Sequence, residues 1–261
     1  GGRWAYASAL LDGYSDYILI IIDVENPQKP QIVGRWWLPG MNTAAGEQPS
    51  WDASRWRYGL HHAIISGDTA YASWRDGGLT LLDIHDREHP ELISWQNWSD
   101  PFGGGTHTAL PLPERDLLVV ADEGIADNAA DGVKRTWVFD IRNPRNPWPV
   151  STLPNPDDTD YVAKGGHFGP HNLHENRPGS FQSDTLLFAT YQNAGLRAFD
   201  ITDPFRPNEV GAWVPPAPER LVDIRPGRPR VIQNFDVFVD RQGLAYMTDY
   251  NAGLYILQYE G

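Results

Sequence analysis

Three short stretches place histidine at one point of a recurring pattern. Residues 60–64 read LHHAI, residues 106–110 THTAL and residues 170–174 PHNLH, while residues 234–238 read NFDVF. Aligned on the apolar runs that follow (Tyr71, Val120, Phe188 and Tyr246), His61, His107 and His171 share one position and Asp236 takes it in the fourth copy. The second and third copies need small gaps in the intervening turn. The fourth needs none, at a constant offset of 175 residues from His61/Asp236 to Asp83/Gln258. Three imidazoles and a carboxylate around one point suit a divalent transition metal (Zn, Fe, Mn or Cu) with a coordination position left open. Such an ion polarises a carbonyl, ionises a water or binds dioxygen. Two plainer readings stand beside it: a polar channel holding ordered water, and a histidine cluster that takes an anionic substrate without metal.

Neighbouring side chains on a strand alternate faces, so His62, Thr108 and Asn172 are expected to point away from that centre. His174 is a weaker candidate. His167, in KGGHFGPH, is a candidate supporting group or acid/base. His85 and His89, in HDREHP, are expected to be solvated.

The elements that must position these residues form an internal repeat. An apolar run, an Asp, a Pro-bracketed turn and a second apolar run recur as ILIIIDVENPQKPQIVGRW, LTLLDIHDREHPELISW, TWVFDIRNPRNPWPVSTL and LRAFDITDPFRPNEVGAW, with a degenerate final GLYILQYEG. The aspartates are Asp23, Asp83, Asp140 and Asp200, spaced 60, 57 and 60 residues apart. They are read as structural, accepting backbone N–H groups in Asx-type turns. Each unit holds four strand-like runs separated by turn residues, and no convincing run of helical periodicity is present. Repeated four-stranded units predict an all-β chain folded as one β-propeller over residues 1–261, with five four-stranded blades. The first unit begins at its second strand and the last lacks its fourth. The reading therefore expects the first blade's inner strand to lie upstream of Gly1.

GLTLLDIHDREHPELIS and GLRAFDITDPFRPNEVG resemble LVIVD repeats, a β-propeller repeat family of many bacterial, often exported, proteins. The resemblance covers nearly the whole chain. It implies the fold and says almost nothing about activity. Axial histidine-bound metals occur in two other propeller groups, the carotenoid-cleaving oxygenases and the selenium-binding-protein-like thiol oxidases. The likeness to both is architectural only.

Bulk properties narrow the partners. The 261 residues carry a net charge of −13, which opposes nucleic acid and anionic membrane surfaces. The longest apolar run, Tyr17 to Val24, is too short to cross a bilayer, so no membrane insertion is expected. There is no cysteine, which excludes disulfides, thiolate metal sites and a Cys nucleophile. The absence fits a periplasmic or secreted protein. Oligomeric state is not readable.

The loops between second and third strands share a face with those entering the first strands. At the strand ends the aligned set is Trp74, Glu123, Tyr191 and Asp249. Glu123 and Asp249 are candidates to orient ring histidines or to act as general acid/base. Tyr191 is a candidate oxyanion donor and Arg75 a candidate for holding a substrate carboxylate. Ordinary turn chemistry explains the same residues without function. The loops entering the first strands are long and rich in Trp, Pro and Gly, where binding sites commonly lie. The leading reading is a metal-dependent lyase, hydrolase or oxidoreductase acting on a small organic substrate. Alternatives are a non-catalytic ligand- or protein-binding propeller, and a glycan-active enzyme using Glu123 with Asp249 or Asp76 with Asp122 as its carboxylate pair.

Overall fold

Each repeat aspartate ends a strand and starts a turn. Asp23, Asp83, Asp140 and Asp200 accept the backbone N–H two residues on, at 2.9, 2.8, 2.9 and 2.7 Å. The Asx-type turns expected from the sequence therefore close all four units. The computed structural model describes residues 2–99 and 101–261.

The strands in chain order are β1 (Trp4–Ala9), β2 (Ile18–Asp23), β3 (Gln31–Trp36), β4 (Tyr58–Ser66), β5 (Thr69–Arg75), β6 (Leu79–Asp83), β7 (Glu91–Gln96), β8 (Thr106–Leu112), β9 (Leu117–Asp122), β10 (Thr136–Asp140), β11 (Trp148–Thr152), β12 (Leu186–Thr190), β13 (Leu196–Asp200), β14 (Asn208–Trp213), β15 (Asn234–Val239), β16 (Leu244–Asp249) and β17 (Gly253–Gln258). Every pairing between them is antiparallel. β1–β3, β12–β14 and β15–β17 form three-stranded sheets, and β4–β11 form one of eight strands. A single pair, Arg75 with Thr106, joins two four-stranded units into that larger sheet. β1 packs on β4, β4 on β8 and β12 on β15, so the units follow one another around an axis. The chain is a β-propeller.

Among the described residues the first and last units have three strands, as their sequences lead one to expect, and the unit of β12–β14 lacks its expected inner strand. In that unit, residues 171–174 meet β12 through single bonds: His171 N to Thr190 O, Thr190 N to Asn172 O, and His174 N to Phe188 O, each 2.9 Å. Pro170, which has no N–H to donate, precedes this segment. One short helix, α1 (Asp158–Ala163), sits in the loop entering that unit, with Asp157 capping it through Thr159 N. Six residues are too few to leave a periodic signal.

Alternation explains the core. Central strands present apolar side chains on both faces, and Leu118, Val119, Val120 and Ala121 are fully buried. Neighbouring units clamp these faces together: Leu110, Val119 and Val138 of one unit pack with Leu187, Ala189 and Phe199 of the next. This rigid packing fixes the inner strands that carry the histidines.

Candidate metal centre

The inner-strand residue two before the partner of Ala72 is His61, since Ala63 pairs with Ala72. By the same rule Ala109 with Val120 gives His107, and Leu173 with Ala189 gives His171. Val237 with Met247 gives Phe235. The imidazoles of His61 and His107 lie 3.7 Å apart between centroids, His107 and His171 4.4 Å, and His171 and the Phe235 ring 4.3 Å. Three of the four sequence-derived ring residues are thus brought together, and Asp236 is not.

Asp236 is exposed and on the opposite face, where its charge is felt by His62 and His174. Its Oδ1 accepts Val237 N. The turn after β15 causes the difference. Val239 pairs with Ala245 across five residues, while Ile65 pairs with Ala70 across four. The true offset on the inner strand is 174, and a slip of one residue reverses every face.

A carboxylate does reach the ring, from a strand end. Glu123 Oε1 stands 3.3 Å from His171 Nε2 and Oε2 stands 3.8 Å from His107 Nε2. Ligand atoms of His61, His107 and Glu123 all lie within 4.8 Å of one another. The Glu123 N–H donates to Gly105 O at 2.8 Å. Gly105 has φ +82°, and a Cβ there would meet Glu123 O at 2.7 Å, so the approach requires glycine.

Hydrogen bonds fix the imidazoles. A carbonyl only accepts, so His171 Nδ1 carries the hydrogen that it donates to Phe235 O. Its Nε2 is left to face Glu123. His107 Nδ1 meets Thr108 Oγ1 at 2.8 Å, and the same hydroxyl donates to Asn172 Oδ1 at 3.4 Å. The hydroxyl therefore accepts from Nδ1–H, and His107 Nε2 also faces Glu123. His61 Nδ1 is buried without a hydrogen-bond partner.

Burial, then the Arg75 charge, pushes His61 down to about 4. Burial and the neighbouring His171 and His61 push His107 well below its usual range. Burial alone raises Glu123, but the His171 hydrogen bond and charge, with His61 and Arg75, hold it below the ordinary carboxylate range. The site sets a carboxylate beside two imidazoles, His61 and His107, that burial holds neutral.

The strand-end residues also shift register. Trp74 N donates to Gly78 O, Asp122 N to Arg135 O and Tyr191 N to Gly195 O, while Asp249 pairs with Gly253. Trp74, Asp122, Tyr191 and Asp249 are therefore equivalent, and the next residue in each unit (Arg75, Glu123, Gln192, Tyr250) faces the mouth. In the second unit the equivalent of Tyr71 is Val119, because Val119 pairs with Val138 two residues before Asp140.

This register corrects several assignments. Tyr191 is fully buried against Phe199, its hydroxyl 3.5 Å from Thr136 Oγ1 and pushed up to about 12 by burial, so it is no oxyanion donor. Asp249 accepts Gln233 N, Asn234 Nδ2, Asn251 N and Ala252 N, which ties the loop and leaves it no acid/base role. Asp122 is held by Trp98, Trp137 and Thr106. Neither proposed glycan-cleaving pair retains two free carboxylates. His167 contacts Asp127 at 3.4 Å and bridges to Gln233 through its backbone, outside the imidazole stack. Arg75 stays at the mouth, its charge felt by His61 and Glu123. Phe235, missed in the sequence, stands beside the loop residue Tyr250, their rings 4.1 Å apart. Counting back four residues from the turn glycines Gly78, Gly195 and Gly253 would have found the register.

Two cavities lie in this part of the molecule, of which the first reaches His61. One of about 1270 Å³ runs from His61 and His62 along β1, β4 and β8 to Glu175 and Arg177. One of about 420 Å³ lies beside the mouth, lined by Trp51, Trp56, Arg57, Tyr58, Asp76 and Ile125 among others.

Fold and centre together define a β-propeller with a histidine–carboxylate cluster on its axis. The LVIVD repeat family model matches residues 63–95, which span one complete Asp–turn–strand unit, so this β-propeller carries an LVIVD repeat. No curated protein sequence matches the chain. Among solved structures it is similar to the periplasmic gluconolactonase PpgL of Pseudomonas aeruginosa (TM-score 0.57, 12% identity, covering 98% of this chain and 70% of that one). It is also similar to Chaetomium thermophilum Sqt1, solved bound to the N-terminus of ribosomal protein L10 (TM-score 0.50, 12% identity, 98% and 59%). At these identities the likeness is one of fold. No helix is long and apolar enough to cross a membrane among the described residues.

Proposed function

We propose that His61, His107 and Glu123, with His171 beside Glu123, bind one divalent transition metal, and that the protein is a metal-dependent enzyme for a small organic substrate. One observation carries the reading. Two imidazole Nε2 atoms face the two oxygens of one carboxylate at 3.3 and 3.8 Å, a spacing that a cation shared among them would suit. Ligands about 2.1 Å from a tetrahedral ion lie about 3.4 Å apart, in the same range. The unpartnered Nδ1 of His61 supports the same reading.

Bound there, the ion would supply Lewis acidity or redox chemistry. The chain's own residues orient the imidazoles through Phe235 O and Thr108 and hold the carboxylate through Gly105. Hydrolysis or elimination goes with zinc or manganese, oxidation with iron or copper. An extracytoplasmic location belongs to the same proposal, and cell fractionation tests it.

The test is elemental analysis of untagged protein purified without chelator, beside His107→Ala. About one equivalent of a transition metal, lost in the variant, supports the centre. No metal in the parent protein, even after reconstitution, overturns it.

A further inference from the structure

Arg75 is the unexplained charge at this site. It is partly buried, and its Nε is shielded from solvent without any hydrogen-bond partner. Among the described residues it forms no ion pair, although the nearby Arg57 is paired with Asp16 at 2.7 Å. A guanidinium nitrogen buried without a partner is costly, and the Nε of Arg75 is such a nitrogen. Its backbone is also held at φ +53°, a conformation that side-chain-bearing residues seldom adopt. Gln192, at the equivalent place, has φ +46° but donates to Gly124 O at 2.7 Å. Two residues share one strained turn; Gln192 is anchored through its amide nitrogen, while the Arg75 side chain has no hydrogen bond among the described residues. Strain of this kind persists where the surroundings enforce a side-chain direction.

The surroundings of Arg75 give the ligand's chemistry. Its cross-strand partner is Tyr58, one wall of the 420 Å³ cavity, whose size is that of small-molecule sites. Trp51 stacks on Tyr58 at 4.2 Å, and Trp56 lines the same space. On the axial side stand Glu123 and His61, whose ionisation Arg75 influences. Glu123, Asp16 and Asp76 are the acids near Arg75, and Arg57 is the competing cation. Glu123 is committed to the histidines, Asp16 to Arg57, and Asp76 accepts Arg57 N at 2.9 Å. A divalent ion, one Glu123 carboxylate, neutral imidazoles and Arg75 sum to a local charge of about +2, inside a chain of net charge −13. That local excess selects an anion with oxygen donors, and a planar fork favours a carboxylate.

We infer that the substrate of this site is a small carboxylate, its carboxyl group paired with Arg75 and its organic body received by the cavity walled by Trp51, Trp56 and Tyr58. The inference rests on the axial-site reading above, which supplies the neighbouring centre. The sequence offered Arg75 as one option among several loop residues; the structure singles it out because the other charged groups near it are already bonded.

Isothermal calorimetry tests this with the full chain, stripped with EDTA and separately zinc-loaded, using benzoate and its uncharged isostere benzamide. Benzoate is expected to bind both forms at least tenfold more tightly than benzamide. Arg75→Gln should lower benzoate affinity at least tenfold and leave benzamide unchanged, and Arg75→Lys should recover part of the loss. Unaltered circular dichroism and thermal midpoint show that the variants fold. No benzoate binding at millimolar concentration, equal binding of the two probes, or unchanged binding by Arg75→Gln overturns the inference. A protein that holds metal while Arg75→Gln binds benzoate normally sinks this inference alone. A protein that takes up no metal yet binds benzoate through Arg75 sinks the metal reading alone.

Discussion

Two adjacent positions at the end of each second strand have opposite fates. Trp74, Asp122, Tyr191 and Asp249 are buried, and each has a hydrogen-bond partner: Trp74 with Thr80, Asp122 with two tryptophans and a threonine, Tyr191 with Thr136, Asp249 with loop amides. One residue later, Arg75, Glu123, Gln192 and Tyr250 face the mouth. There an arginine nitrogen has no partner and a carboxylate lies against two imidazole Nε2 atoms. Residues that hold a fold together satisfy one another, whereas residues poised for a ligand leave something unsatisfied. The neighbours Asp122 and Glu123 test this directly.

Asp122→Ala is expected to strip the acceptor from Trp98, Trp137 and Thr106. Unsatisfied buried donors cost about 1–3 kcal/mol each, so a loss of roughly 3–5 kcal/mol is expected in urea unfolding, with metal stoichiometry retained in the folded fraction. Glu123→Gln should do the reverse: at least a 100-fold loss of zinc affinity, with the metal-free protein as stable as the parent or more so. If Asp122→Ala abolishes metal binding in folded protein, or Glu123→Gln leaves it intact, the division between the two positions fails.

The same one-residue distinction marks how far the sequence could be read. The Asp–turn–strand repeat was legible because Asx turns are local: a carboxylate and an amide two residues apart need no tertiary information. His61, His107 and His171 were legible because their type recurs. Asp236 was misplaced because the longer turn after β15, filled by Asp240–Gly243 and Leu244, moves the inner strand by one residue while the second strand stays in register. Glu123 was seen as a supporting group, and its direct approach to the ring depends on Gly105 and on the Val119 register. Pairing between distant strands sets both. A single sequence shows alternation well and absolute register poorly, and a site on alternating strands depends on register.

Acid should expose the contrast between satisfied and unsatisfied groups. His61 has a folded-state value of about 4 against an unfolded value near 6.5. Between these limits the unfolded chain binds the proton and the folded chain does not. Stability is therefore full above about pH 6.5 and falls as pH drops towards 4, by on the order of 3 kcal/mol for this group alone. His107, also depressed, adds loss in the same direction. Glu123, depressed from the carboxylate range, contributes stability above its unfolded value and loses it at lower pH. Asp122, raised to about 7 by burial, acts in the opposite direction over this window, so the test is the difference: the denaturant midpoint of metal-free His61→Gln should fall less between pH 7.5 and 4.5 than that of the parent. A profile unchanged by His61→Gln would show that this imidazole is not desolvated.

The smallest expected effect bears on register. Asp236 is exposed and lies on the face opposite the ring, so Asp236→Ala should change zinc affinity by less than about twofold, as surface substitutions away from a site generally do little. Phe235 occupies the ring position, its aromatic ring 4.3 Å from that of His171. Phe235→His would place a fourth imidazole beside the existing three, and a modest tightening of zinc, about tenfold, is expected if its nitrogen reaches the ion. Calorimetric titration of both variants distinguishes the two registers. Loss of zinc in Asp236→Ala, with no response in Phe235→His, would restore the 175-residue offset and place the carboxylate of Asp236 back in the ring. The expected result leaves Glu123 as the carboxylate of the centre, delivered from the end of β9 across the axis to inner-strand histidines of three different units.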